Sequence, residues 1–264
     1  MRYLLIGLTI LYLAAVLGPM VAIVLKIEPR ALRVAHSLEL VRMALTLTLK
    51  TSLIVTLLTV LLGLPIAVCL ARLEFRGKSV LDMLVDVPIA LPPLVLGVGL
   101  LLLWGRRGLL GQHLDALGFQ ISFTTLAVCV AQFVVASPYF VRIAQSGLQA
   151  VPKEIEDVAR SLGAKPLRVW TTVTLPLARE AILAATITCW ARAVSEFGAT
   201  LMFAGNFPGR TQTMPLAIYV TMQFNIEDAV LMSAIMLGFA LAGFAAAQHF
   251  LRRFGRPRVL AGTI

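Results

Sequence analysis

The sequence predicts an all-α polytopic membrane protein with six transmembrane helices. Its 264 residues are 59% hydrophobic and only 14% charged, whereas about 25% of the residues in a soluble domain are charged. Five stretches of 19 to 26 residues carry no charge, and roughly 20 apolar residues in a helix cross the hydrocarbon of a bilayer. A sixth apolar stretch, 181–204, is interrupted only by Arg192 and Glu196.

The predicted helices follow one another with polar connections between them. The first, from Tyr3 to Leu25, is longer than the apolar core of a secretory signal peptide, and no convincing cleavage site follows it, so we expect it to be retained. No other material is long enough for a separate domain, so residues 1–264 are expected to form one transmembrane unit. The expected spans are residues 3–25, 51–71, 87–105, 120–141, 178–202 and 229–250.

Lysine and arginine are distributed unevenly over the two alternating sets of connections. Fourteen lie on the set that includes both termini, and eight lie on the other set. Because cytoplasmic loops are enriched in these residues, both termini are predicted to be cytoplasmic. The first connection opposes the rule with five positive charges. We expect its Leu38, Val41 and Leu45 to form an interfacial helix that holds those charges at the lipid headgroups.

Composition also limits the chemistry that the chain can perform. Much of the net charge of +10 flanks apolar spans, which favours contact with lipid over nucleic acid. Cys69, Cys129 and Cys189 lie singly inside predicted spans, the three histidines are widely separated, and neither H-E-x-x-H nor G-x-S-x-G occurs. We therefore expect no catalysis, no metal site and no cofactor in this chain.

The longest polar stretch, residues 142–180, predicts two short helices joined by a sharp corner. Pro152 suits a first helical turn. Gly163 fits a left-handed C-cap, and Pro166 can begin the next helix. Three acidic residues lie near the positive end of the first helix dipole: Glu154, Glu156 and Asp157.

The first of these two helices carries an apolar stripe at helical spacing. The stripe either docks into a groove on another protein or packs on the chain's own membrane helices, and periodicity alone leaves both possibilities open. Its members are Ile155, Val158, Ala159 and Leu162.

The same loop resembles the EAA loop of ABC importer permeases. That pattern is Glu-Ala-Ala, three residues, Gly, nine residues, and then Ile, one residue and Leu-Pro. The chain matches the spacing and departs from the pattern mildly at Asp157, Val158 and Val173. The resemblance implies a type I ABC importer permease fold. It also implies that residues 142–180 form a cytoplasmic coupling loop, which docks on a cytoplasmic ATPase. The expected docking residues are Glu154, Glu156, Asp157, Val158, Ala159, Leu162, Gly163, Leu175 and Pro176.

Two further stretches resemble molybdate-type permeases. One runs from Pro88 to Gly108 and contains P-I-A-L-P-P-L-V-L-G-V-G, and the other runs from Ser195 to Tyr219 and contains E-F-G-A-T-L-M-F-A-G-N and G-R-T-Q-T-M-P-L-A-I-Y. Sulfate permeases share the E-F-G-A core, but the remainder looks more like the molybdate branch. The resemblance implies a permease subunit of a molybdate importer in the inner membrane, with tungstate or sulfate as alternatives.

The partners follow from the same resemblance. They are a second copy of the chain, two cytoplasmic ATPase subunits and an extracytoplasmic oxyanion-binding protein. The chain has no G-x-x-x-x-G-K-[ST] phosphate loop, so ATP and magnesium belong to the separate ATPase. An ion-coupled secondary transporter is a further alternative, but it would need titratable residues in several spans, and Glu196 is the only intramembrane carboxylate predicted.

A doubly charged oxyanion needs a wet, protein-lined path, because an ion in hydrocarbon costs on the order of tens of kcal/mol. Broken helices can bind anions through exposed backbone N–H groups. The alternative role of their glycines and prolines is helix kinking and close helix packing. Arg192 and Glu196 either line the path or form a structural ion pair. The candidates are Pro92, Pro93, Gly97, Gly99, Arg192, Ser195, Glu196 and Thr200, with Thr211, Gln212 and Thr213 as weaker donors.

Overall fold

The structure is a computed structural model that describes the backbone of residues 1–27 and 35–254 and the side chains of residues 1–27 and 39–249. All regular structure in these residues is helical, which confirms the predicted all-α class. A π-helical segment, Trp170–Thr174, joins α8 to α9 without a break. The α-helices are α1 (Arg2–Leu25), α2 (Ala35–Arg72), α3 (Lys78–Ala90), α4 (Pro93–Trp104), α5 (Gly111–Ala116), α6 (Thr125–Gln149), α7 (Lys153–Ser161), α8 (Pro166–Val169), α9 (Leu175–Val194), α10 (Gly198–Ala204), α11 (Met214–Phe224) and α12 (Ile226–Phe254).

Five helical segments in the described residues are long and apolar enough to cross a membrane: α1, α2, α6, the continuous α8–α9 helix and α12. The pair α3 and α4 supplies a sixth span if it is counted as one broken crossing. This agrees with the six predicted spans. The first and last predicted spans coincide closely with α1 and α12.

The interfacial helix predicted for the first connection is wrong. The backbone from Ala35 onward is the beginning of α2 and continues into the membrane as one 38-residue helix. Val41 and Ala44 are buried against Met214 and Met232 of α11 and α12, so this part of α2 packs on protein. The side chain of Leu38 lies outside the described residues.

The third predicted span, 87–105, is not a single straight helix. α3 and α4 meet at an angle of 111°. Leu91 and Pro92 are extended there, with ψ of 140° and 134°. The cause is local, because a residue before proline is driven out of the helical region and proline itself cannot donate the next helical hydrogen bond.

The boundaries of the neighbouring spans also differ from prediction. The predicted helix 178–202 ends at Val194, and a separate α10 follows after three residues. In the other direction, α6 runs past the predicted end at residue 141 to Gln149. Arg142 does not open a polar loop there, because it belongs to α6 and pairs across to α3, with Asp82 at 2.6 Å and Asp86 at 2.5 Å.

The core is formed where α2, α6 and α9 pack together, around Leu70, Phe140, Leu148 and Cys189. Gly63 of α2 lies beside Phe140 of α6, and Arg72 at the end of α2 donates to the carbonyl of Val151 just beyond α6. These two helices therefore run parallel. α9 runs antiparallel to α6, with Ala181 near its beginning against Gly147 near the end of α6.

Candidate functional site

Helix α7 presents the predicted apolar stripe to the outside of the chain. The exposed fractions of Val158 and Leu162 are 61% and 84%, and Ile155 is also exposed. Ala159, the fourth member of the stripe, is half-buried. Three of the four stripe residues therefore do not pack on the chain's own membrane helices. Glu154 and Asp157 lie on the exposed part of the same helix, and Asp157 pairs with Arg160 at 2.5 Å.

Gly163 adopts the predicted left-handed conformation, with φ of +82°. Its N–H donates to the carbonyl of Arg160 at 2.9 Å, and the N–H of Ala164 donates to that of Ala159 at 3.1 Å. This pair of bonds is the Schellman motif that closes a helix end. An added Cβ at Gly163 would meet no described atom within 4 Å, so the glycine serves the backbone conformation of the corner rather than a contact within this chain.

Glu156 lies on a different side of α7 from the exposed part of the stripe and is buried. Its carboxylate pairs with Arg72 of α2 at 2.6 Å and with Arg160 at 3.1 Å, and it accepts a 2.9 Å hydrogen bond from the hydroxyl of Thr174. The side chain is only 3% exposed. Glu156 thus differs from Glu154 and Asp157, because its carboxylate is buried against the bundle and theirs are exposed.

The Leu175-Pro176 pair lies where the loop returns to the membrane. The N–H of Leu175 donates to the carbonyl of Trp170 five residues earlier, which is the π-helical pattern. Pro176 has no N–H to donate and follows directly, so the wider turn lets the helix continue past the proline. Pro176 remains exposed, and Leu175 is half-buried.

The candidate path residues divide into contacts of different kinds. Pro92 and Pro93 form the break between α3 and α4 described above. An added Cβ at Gly97 would lie 2.8 Å from the Cα of Ala199 on α10, whereas one at Gly99 would meet no described atom within 4 Å. Gly97 therefore serves close helix packing, and no contact with the described residues requires a glycine at position 99.

Arg192 and Glu196 form the structural ion pair, at 2.8 Å. Glu196 lies beyond the end of α9, and its Oε1 accepts a 2.8 Å hydrogen bond from the N–H of Ala199, so it also caps α10. Thr200 is fully buried on α10. Ser195 is exposed and borders an open cavity of about 410 Å³ whose other walls are mainly apolar.

The three loop residues proposed as weaker donors are not solvated. Thr211, Gln212 and Thr213 are all buried. The hydroxyl of Thr211 accepts a 3.0 Å hydrogen bond from the N–H of Phe207, and the hydroxyl of Thr48 on α2 accepts one of 2.8 Å from the N–H of Met214. This region holds the loop against α2.

Two residues of the coupling region were missed from the sequence. In the sequence, Arg72 contributes only a positive charge to the prediction of membrane orientation. Thr174 belongs to no pattern that predicts a side-chain contact, beyond its position before the Leu-Pro pair. A charged residue at the end of a span can signal either topology or an ion pair, and nothing in the local pattern separates them. Among the described residues, no group of three or more His, Cys, Asp or Glu side chains could hold a metal ion.

Comparison with known proteins identifies the family. A family model described as "Binding-protein-dependent transport system inner membrane component" matches residues 59–256. The chain belongs to this family. It is therefore a multi-span inner-membrane component of a transport system and not an enzyme in its own right.

Relatives and a solved structure agree with this assignment. The chain is 40% identical over 235 residues to the molybdenum transport system permease protein ModB of Mycobacterium tuberculosis, covering 86% of this chain and 88% of that protein. It is 35% identical over 195 residues to the probable sulfate transport system permease protein cysT of Nephroselmis olivacea, covering 74% and 69%. It resembles a chain of a bacterial alginate ABC transporter in complex with an alginate pentasaccharide-bound periplasmic protein, with a TM-score of 0.74, 15% identity and coverage of 96% and 94%. The fold is that of a type I ABC importer permease, as predicted.

Proposed function

We propose that this chain is the permease subunit of an ATP-driven molybdate importer. The observation that supports this most directly is the shape of the 142–180 segment. It presents an exposed apolar stripe on α7, closed by a left-handed corner at Gly163, while a different side of the same helix is fixed to the bundle through Glu156. A helix held in this way can receive a partner without losing its position on the permease.

The partner proposed for the stripe is a cytoplasmic ATPase subunit, which would carry the ATP and magnesium. The docking residues are the exposed members of the predicted set, together with the corner itself. Helix directions support placing this loop with both termini in the cytoplasm. α2 and α6 run parallel and both end beside α7, and α9 runs antiparallel to them. With α3 and α4 as one crossing, six spans return the chain to the side where it began.

Symmetry supports a dimer. One chain supplies one coupling loop, so two ATPase subunits call for two copies arranged about a two-fold axis. The path for the oxyanion would then lie between the copies, with Ser195 on an exposed face and with the α3–α4 break at its edge. An extracytoplasmic oxyanion-binding protein would deliver the substrate. ATP binding would bias the assembly between inward-open and outward-open states.

Substrate identity rests on the relatives. The molybdenum permease is more similar to this chain than the sulfate permease is, and it is covered more fully. Sulfate and tungstate share the tetrahedral geometry and the charge of molybdate, so they are the competitors to test. We expect excess unlabelled molybdate or tungstate to suppress molybdate uptake by the reconstituted complex, and sulfate to do so weakly. Equal suppression by sulfate would assign the chain to a broader oxyanion importer.

The docking role is tested by copurification of the tagged permease with its ATPase. Leu162→Asp places a charge on the stripe at a side chain that is 84% exposed, so the fold should persist while ATPase recovery falls at least about tenfold, equivalent to about 1.4 kcal/mol. Leu117→Asp is a matched control, because Leu117 is 81% exposed and follows α5, remote from α7 in the chain. Equal ATPase recovery with both variants would contradict the docking role.

A further inference from the structure

Helix α7 has one acidic side chain turned inward. The side chain of Asp157 is 66% exposed, and Glu154 is exposed as well, whereas that of Glu156 is 3% exposed. A carboxylate is rarely buried unless it is paired, because it gives up its hydration. The partners of Glu156 therefore indicate what this carboxylate does.

Those partners come from three different parts of the loop and bundle. Arg72, at the end of α2, is itself only 8% exposed and approaches Glu156 at 2.6 Å. The same guanidinium group donates to the carbonyl of Val151, between α6 and α7, at 3.1 Å. The hydroxyl of Thr174, at the end of the π segment, donates a 2.9 Å hydrogen bond to Oε1 of Glu156, the same oxygen that Arg72 approaches. One carboxylate therefore connects α7, α2 and the helix that leads into α9.

We infer that the Glu156–Arg72 pair is the joint through which movement of α7 is transmitted to α2. This inference rests on the proposed function, in which α7 is moved by an ATPase. Separating the pair would leave the buried guanidinium of Arg72 without its carboxylate partner, which is strongly unfavourable. Glu156 would keep Arg160, on its own helix, and the hydroxyl of Thr174. A displacement of α7 therefore carries the end of α2 with it. Glu156 acts as a positioning residue for coupling and does not itself contact the ATPase.

The surroundings of the joint are compatible with such movement. A cavity of about 400 Å³ adjoins the pair, and Val68, Lys153 and Trp170 are among the residues that line it. Space beside a fixed contact lets α7 reorient while the contact persists. A close-packed apolar contact at the same place would have to be rebuilt at each step, because close-packed interiors do not deform continuously.

The test compares transport with ATP hydrolysis in the complete reconstituted complex. Glu156→Gln keeps the shape of the side chain and removes its charge, and Arg72→Gln removes the charge on the other side. We expect both variants to copurify with the ATPase as the native chain does, to retain ATP hydrolysis, and to transport at least about tenfold less molybdate per ATP hydrolysed. The charge-reversed double variant Arg72→Glu with Glu156→Arg should recover a substantial part of that ratio.

Glu74→Gln is the matched control. Glu74 also pairs with a basic residue close to the end of α2, Lys78 at 2.8 Å, but its side chain is 78% exposed. The hydrogen bond from Lys78 lowers the pKa of the Glu74 carboxyl, so the control likewise replaces a charged, paired glutamate. Its transport per ATP should equal that of the native chain.

Three results would refute the role of the Glu156–Arg72 pair as the joint. The first is an unchanged transport-to-hydrolysis ratio for Glu156→Gln in an assembled complex. The second is a loss of ATPase recovery with that variant, which would mean direct contact with the ATPase. The third is a fall in hydrolysis that parallels the fall in transport. If Glu156→Gln does not accumulate as a folded subunit, Arg72→Gln removes the same ion pair from the other side, and an unchanged ratio for it would equally refute the joint. Failure of the native chain to copurify with any ATPase would instead refute the proposed function.

Discussion

The crossing of α4 and α10 at Gly97 allows a quantitative prediction from one added methyl group. In Gly97→Ala the new Cβ would lie 2.8 Å from the Cα of Ala199 and from the Cβ of Met202, and 2.9 Å from the carbonyl oxygen of Ala199. Favourable carbon contacts require about 3.5 to 4.0 Å. Two of the three atoms are backbone, so a helix must shift, and overpacking of this kind costs about 1–3 kcal/mol.

Gly99→Ala is the matched control on the same helix, because its Cβ would meet none of the atoms that the structure describes within 4 Å. Both variants gain about 1 kcal/mol in helix propensity, and this gain cancels when they are compared. We expect Gly97→Ala to have a free energy of unfolding lower than that of Gly99→Ala by about 1–3 kcal/mol. Denaturant unfolding of the two purified variants in detergent micelles measures this difference. Equal stabilities would refute the close packing of α4 on α10.

Two further predictions concern the corner and the intramembrane ion pair. Gly163→Trp should leave the subunit inserted but abolish ATP-driven uptake, because the new side chain adds bulk at the corner and strains its left-handed backbone. Uptake is measured with labelled substrate in vesicles. Uptake at the native level would contradict the docking of this corner. Glu196→Ala should lower the free energy of unfolding by about 3 kcal/mol. It removes the hydrogen bond that Ala199 donates at the start of α10, and it leaves the partly buried Arg192 without its partner. Denaturant unfolding that matches the native chain would show that the ion pair and the cap contribute little.

Much of the fold could be predicted from the sequence because the membrane imposes a simple rule on composition. Uninterrupted apolar runs gave the positions of α1 and α12 and the inner part of α2. The same rule fails where a helix continues outside the bilayer, since nothing in apolar length reveals that α2 begins at Ala35 and packs its outer part on α11. It also fails at the α3–α4 break, where two prolines predicted a disturbance but not an angle of 111°.

The local structure of the coupling loop could be predicted from the sequence, but its contacts with distant residues could not. Local signals located α7, its stripe and the left-handed glycine, because helix caps and periodicity are properties of neighbouring residues. The inward turn of Glu156 was not predictable, since its partner Arg72 lies more than 80 residues away in the chain. Equally, Arg192 and Glu196 were recognisable as a pair from their spacing, while the capping of Ala199 required knowing that α9 ends between them.

Because α2 is long, a small change in its tilt moves its ends a long way relative to each other. Its 38 residues correspond to about 57 Å of continuous helix at 1.5 Å per residue, nearly twice the hydrocarbon thickness of about 30 Å. A tilt of about 5° would displace the two ends of this helix relative to each other by about 5 Å. A small tilt imposed at one face of the membrane therefore produces a displacement of several ångströms at the other face. That displacement is wide enough to admit or exclude a small ion.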